Sequence, residues 1–176
     1  MAFYPFKPEF DLIFSRFGVM FFGDPVRAFA NIRKGAASGA RLAFVAWRAP
    51  KENERAMVPF SAAKPHLPNI NPADPNAPGP FAFADPGRVR AILSEAGFHD
   101  VAIEAFDGVM DLGDMPEHAS FQSTQLIGPT SRAFRDADEE TRVRIYQAVK
   151  DVVACLLSKQ GHLRLGIACW LVSAKS

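Results

Sequence analysis

The chain has no glycine-rich turn. Its twelve glycines are scattered over 176 residues, and the nearest approach to a cluster, Gly35-Ala36-Ala37-Ser38-Gly39, is placed to close a helix. A parallel α/β sheet usually cradles a nucleotide-type ligand on such a turn after its first strand, so that mode of binding has no local carrier here. Cysteine is equally scarce. Cys155 and Cys169 form no CxxC pair and each sits in an apolar periodic segment, which excludes a disulfide framework, predicts two core thiols and fits a reducing compartment. The four histidines, His66, His99, His118 and His162, never reach metal-ligand spacing with one another or with a cysteine, so no zinc site is expected. Charge of one sign is missing too: a net charge of +1 gives no footprint for nucleic acid or anionic lipid. The apolar run from Leu12 to Phe22 is interrupted by Ser15 and Arg16 and is too short for a membrane span. With no basic leader or small-residue cleavage site at the N-terminus, the expected location is cytoplasmic.

What is present is phenylalanine: 16 Phe stand against 2 Tyr and 2 Trp, with 48% hydrophobic and 22% charged residues. That is a soluble composition with a Phe-heavy core, and the length suits one domain over 1–176. The nearly continuous apolar run at 10–15 predicts a strand buried on both faces. Asp24-Pro25 has the form of a helix cap followed by a first-turn proline, with Val26, Phe29 and Ala30 on one face. Residues 41–47 then predict a second buried strand, and the β-α-β unit implies a right-handed parallel crossover.

Seven prolines between 59 and 80 predict a semi-rigid loop or lid over 50–80 instead of regular structure. Asp85-Pro86 repeats the cap, with Val89, Ile92, Leu93 and Ala96 on the apolar face of a helix stopped by Gly97. A strand follows at 101–106, then a helix around 116–126 and a turn near Pro129. Asp136 and Glu139 have capping-box spacing, opening a helix whose apolar face takes Val143, Ile145, Tyr146, Val149, Val152, Val153 and Leu156. The last strand is read over 167–173.

Taken together, Phe10-Asp11-Leu12-Ile13-Phe14-Ser15-Arg16-Phe17-Gly18-Val19-Met20-Phe21-Phe22, Arg41-Leu42-Ala43-Phe44-Val45 with Trp47-Arg48, Ala77 to Pro86, Ala96-Gly97-Phe98 and Trp170 to Ala174 resemble the C-terminal part of class I S-adenosylmethionine-dependent methyltransferases, in the branch of ubiquinone and menaquinone biosynthesis. The resemblance implies a partial Rossmann-like α/β sheet of about four strands with flanking helices, two or three strands parallel and the last one antiparallel between its two predecessors. It also implies that the family's cofactor half, with its Gly-rich turn and two acidic residues, has no counterpart, so that the chain is truncated. Departures inside the matched part are Lys34 to Ala40, where the family has a Leu and then Pro-Gly-Gly, and Glu54-Arg55 in place of Pro-Trp.

On that resemblance the cofactor is S-adenosylmethionine and the substrate a small organic molecule. Ser15, Arg16 and Phe17, after the first strand, fall beside the methionine end of the cofactor, with Met20, Phe21 and Phe22 beside the substrate. The competing reading of Phe17 and Met20 to Phe22 is core or loop packing; Arg16 can pair with a carboxylate, line a pocket or reach solvent. Asp24 and Asp85 read as caps, and His66 as either a base or a solvated loop residue. A reading of another class is a non-catalytic binding module: the first strand offers an edge for a homodimer or for a separately encoded N-terminal half. No nucleic-acid or membrane partner is expected.

Overall fold

In the computed structural model, which describes residues 7–67, 74–122, 124 and 129–176, the chain runs β1 (Phe10–Arg16), α1 (Pro25–Arg33), β2 (Ala36–Trp47), α2 (Glu54–Ala63), α3 (Pro86–Glu95), β3 (His99–Asp111), α4 (Pro116–Phe121), α5 (Pro129–Asp136), α6 (Glu139–Gln160) and β4 (Arg164–Lys175). The four strands form one mixed sheet in the order β1-β2-β4-β3. β1 and β2 are parallel, and β4 lies antiparallel to β2, between it and β3. The expected α/β architecture, including the inserted antiparallel strand, is present.

By contact density the chain divides into two compact units, the first made of Met1–Ala49, Asp74–Phe106 and Ala168–Ser176 and the second of Pro50–Ala73 and Asp107–Ile167. In the first unit both Asp-Pro starts work as read. Asp24 Oδ1 accepts from Arg27 N–H at 3.0 Å and Asp85 Oδ1 from Gly87 N–H at 2.8 Å, satisfying amide donors that the first turn of each helix leaves open. α3 buries Val89, Ile92 and Leu93, and Gly97 ends it at φ 91°, a conformation glycine adopts without steric cost. The core is built on phenylalanine. Phe29, fully buried on α1, meets Phe22, Phe44, Phe83 and Phe98 at centroid distances of 5.8, 5.7, 6.2 and 6.3 Å.

Two strand expectations need correction. β1 is not buried on both faces: Phe10, Leu12 and Phe14 are 48%, 53% and 65% exposed, because β1 is an end strand of the sheet. β2 begins at Ala36, not Arg41. Phe10 pairs with Ala36 and Leu12 already with Arg41, so the intervening residues of β2 bulge from the ladder, and Gly39 at φ 74° supplies the bend.

In the second unit Ile145, Val149, Val153 and Leu157 recur every four residues along α6 and bury one stripe against Ala63, Leu112, Ala119, Leu163 and Leu165. α2 and α4 pack on it. The loop expected over 50–80 contains α2, with Pro59 inside it and buried with Ala56 and Ala63; the single lost amide donor is tolerated in so short a helix. His66 ends a 3₁₀ turn after it, and residues 68–73 lie outside the described residues. The helix read over 116–126 is α4 as far as Phe121, with 123 and 125–128 outside the described residues.

Pro129 opens α5 and marks no turn, since its fixed φ suits a first helical position. The cap of α6 is Asp138, whose carboxylate accepts from Thr141 N–H at 2.7 Å, and not Asp136, which is the last residue of α5. Val143 is 61% exposed on the solvent face of α6. Cys169 is core as expected, whereas Cys155 is exposed on α6. β3 and β4 extend beyond the 101–106 and 167–173 read from the sequence.

Candidate functional site at the carboxyl ends of the parallel strands

Ligands of open α/β sheets sit beyond the carboxyl ends of the strands. β1 and β2 end side by side there: Ser15 pairs with Phe44, Arg16 with Val45, and Phe17 N–H still reaches Val45 O at 3.1 Å. The chain then bends sharply. Phe17 takes φ 55°, which costs a non-glycine residue about 1–3 kcal/mol and is held only where neighbours impose it. The neighbour is Trp47, whose ring stacks on that of Phe17 at 4.1 Å and 10°. Gly18 follows, where a Cβ would lie 3.1 Å from Ser15 Oγ.

The residues expected beside a substrate divide by direction. Val19 and Met20 are buried, and Phe22 packs edge-on against Phe29, so Met20 and Phe22 hold the loop from within. Phe21 turns outward at 49% exposure. Met20 O accepts from Gly79 N–H at 3.1 Å, tying the loop to the Pro-Gly-Pro turn. Arg16 is exposed and Ser15 half-buried at the strand's end.

Three further residues gather in this unit that sequence reasoning had cited only for resemblance. Arg48 N–H reaches Ala168 O at 3.0 Å, and its guanidinium lies over the Trp170 ring, 5.2 Å from the centroid. Trp170 Nε1–H in turn donates to Ala84 O at 2.9 Å. Both tryptophans of the chain thus lie where β2 and β4 pair, Trp47 opposite Cys169 and Trp170 opposite Ala46. Their rarity was the available signal.

Elsewhere polar groups serve structure. On the face of the sheet that carries Leu12, a groove of about 350 Å³ runs past Arg41, Ala43, Ser173 and Lys175. Lys175 Nζ pairs with Asp100 there at 3.0 Å and holds that carboxyl below its usual range. In the second unit Asp111 accepts from Gly113 N–H at 2.8 Å and pairs with His162 and Arg164, each at 3.3 Å. The Gly113 bond is the main reason its carboxyl titrates low. Arg55 donates Nε–H to Met110 Sδ at 3.0 Å, and burial pushes its guanidinium down. No metal-holding group of acidic, histidine or cysteine side chains occurs among the described residues, and none of their helices is long and apolar enough to cross a membrane.

The implied cofactor can be tested against the strand ends. Ser15, Arg16 and Phe17 offer a hydroxyl, a cation and an aromatic ring, a donor set suited to the amino-acid end of S-adenosylmethionine. Neither Ser15–Gly18 nor Ala46–Ala49 includes a carboxylate for a ribose, and Asp24 and Asp85 are engaged as caps. These residues fit one end of that molecule.

No protein-family profile matches the sequence, and no curated protein does. Among solved structures the chain is similar to the YcgJ protein of Bacillus subtilis, with a TM-score of 0.52 at 12% identity over 99% of this chain and 68% of that one. A proposed methyltransferase of Bacillus halodurans C-125 gives 0.49 at 15%, again over 99% and 68%. Phosphoethanolamine N-methyltransferase 2 of Haemonchus contortus, in complex with phosphomonomethylethanolamine and S-adenosylhomocysteine, gives 0.45 at 13% over 99% of this chain. This chain spans 36% of that enzyme's length. At such identities the likeness is one of fold, and of these three superpositions the one on YcgJ, with a TM-score above 0.5, carries it.

Proposed function

We propose that the chain is a methyltransferase-like protein, a single domain over 1–176, whose strand ends at β1 and β2 face S-adenosylmethionine and a small organic acceptor. The observation that carries this is the strained Phe17, held at φ 55° against Trp47 at the carboxyl end of the first parallel strand. When bound, S-adenosylmethionine supplies a methyl group on a sulfonium for in-line displacement. The chain's own contribution is orientation and exclusion of water. Arg16 pairs with the carboxylate of the methionine end, Ser15 hydrogen-bonds beside it, and Phe17 covers that end from solvent. Phe21, the outward residue of its turn, meets the acceptor, while Met20 and Phe22 fix the loop by packing beneath it. An apolar lip of this kind favours a small organic molecule over a nucleic acid, and two reduced thiols suit the cytoplasm.

Because these residues fit one end of the cofactor and the sequence has no Gly-rich turn, the expected affinity of this chain is weak, of order 1 mM. Amide chemical shifts measured during titration with S-adenosylhomocysteine test it. Saturable shifts confined to Ser15–Phe17 and Trp47 are expected; no saturable shift up to about ten times that concentration, or shifts confined to other residues, overturns the proposal. A second reading, favoured by the exposed apolar face of β1, is an interaction module that engages a partner through this strand.

A further inference from the structure

We infer that two copies of this chain pair edge to edge through β1, antiparallel about a two-fold axis at Ile13, so that one four-stranded sheet continues into the next. The inference rests on the reading of β1 as an interaction surface and deepens it; it shares Ser15 and Arg16 with the proposed cofactor contacts.

β1 is an end strand of the sheet, and among the described residues no strand covers its outer edge. Phe17 N–H donates to Val45, so in the regular part of β1 the odd-numbered residues bond to β2 and the even ones, Leu12 and Phe14, turn N–H and C=O outward. Those same residues are 53% and 65% exposed. Edges left open for solvent are often blunted by proline or by charged side chains; residues 10–16 include no proline or lysine, and their two charges, Asp11 and Arg16, stand toward the ends of the strand.

A two-fold axis at Ile13 sets Leu12 opposite Phe14 of the second copy, and Phe14 opposite its Leu12. In an antiparallel ladder these are the pairs that exchange both backbone hydrogen bonds, so the outward groups are satisfied. Phe10 falls opposite Arg16 of the second copy, an aromatic face against a guanidinium, and on the other face Asp11 falls opposite a Ser15 hydroxyl. Shifting the axis to Leu12 would set Asp11 against Ile13 and Pro8, which has no N–H, against Arg16. Complementarity selects Ile13.

The size fits a reversible dimer. With side chains of roughly 150–250 Å², the exposed fractions of Phe10, Leu12 and Phe14 amount to roughly 300 Å² of apolar surface. A standard interface of about 800 Å² per partner has about 450 Å². The patch is about two thirds of that, and edge pairing covers only part of it, so the association is weak and reversible.

Sedimentation velocity of the intact chain from about 1 to 200 µM reads the equilibrium. A monomer–dimer transition in that range is expected, with Leu12→Lys and Phe14→Glu raising the midpoint more than tenfold while the circular dichroism is unchanged. The axis is read separately in a Cys155→Ser background. Ile13→Cys should oxidise to a covalent dimer much faster than Leu12→Cys, because facing residues of a non-bonded antiparallel pair lie about 4.5 Å apart at Cα, within disulfide range. A monomer throughout the range gives the edge to some other partner and overturns the inference. So does a dimer untouched by Leu12→Lys, or one in which Leu12→Cys cross-links first. Ser15 and Arg16 belong to both readings, so the ligand titration is repeated on the Leu12→Lys monomer, whose substituted residue lies outside the proposed cofactor contacts: shifts that persist there separate the ligand reading from the dimer.

Discussion

Replacing Phe29 by Ala should remove about 4 kcal/mol of stability. The side chain is fully buried and touches four other rings, from the loop after β1 (Phe22), from β2 (Phe44), from the turn before α3 (Phe83) and from the residue just before β3 (Phe98). Burial of such a side chain is worth about 1.5–3 kcal/mol. The cavity left when neighbours cannot collapse raises the measured cost of Phe→Ala to about 3–5 kcal/mol. Collapse is hindered here because the neighbours are rigid rings on separate elements. Urea unfolding followed by fluorescence should show a lower midpoint at an unchanged slope, and a thermal midpoint lower by about 8–16 °C. Phe21, half exposed in the same unit, is the internal control, and its replacement by Ala should cost less than about 1 kcal/mol. A Phe29 variant that loses under about 1.5 kcal/mol, or no more than the Phe21 variant, would refute the placement of the aromatic core and with it the support under the Met20–Phe22 loop.

Val149 and Val143 test the face of α6 in the same way. Lys at fully buried Val149 should unfold the protein, while Lys at exposed Val143 should change the unfolding free energy from urea titration by no more than about 0.5 kcal/mol. Acid sensitivity follows from Asp111 and Asp138, whose carboxyls are lowered chiefly by backbone bonds from Gly113 and Thr141. A carboxyl lowered by folding stabilises the protein above its unfolded pKa, about 3.9, and loses that contribution as pH falls through the folded value. Urea midpoints should therefore be flat in this respect from pH 7 to about 5 and fall below about pH 4, with a shallower fall in Asp111→Asn; an unchanged slope in that variant would count against the pairing.

Local chemistry was legible. Asp24-Pro25 and Asp85-Pro86 start helices, and Gly97 stops one at positive φ, because caps depend on a few adjacent residues. Burial of β1 was not legible: an apolar run reports composition, and whether Leu12 and Phe14 are covered depends on what lies beside the strand. The early start of β2 depends on a bulge set by pairing with β1, and the choice of Asp138 over Asp136 depends on where α5 ends. The site shows the same division. Ser15 to Phe22 could be placed at a strand end from sequence, whereas the gathering of Arg48 with Trp170, and of Trp47 with Phe17, requires the non-local pairing of β2 with β4 and β1.

The claim that the ends of β1 and β2 face S-adenosylmethionine is tested most directly by covalent mapping. Ultraviolet irradiation with S-adenosylmethionine tritiated in its methyl group, followed by peptide analysis, should put the label in peptides from Ser15 to Phe22 and around Trp47, competed by S-adenosylhomocysteine and reduced severalfold in Phe17→Ala. Label that resists competition, lies in other peptides, or is unchanged in Phe17→Ala would contradict it.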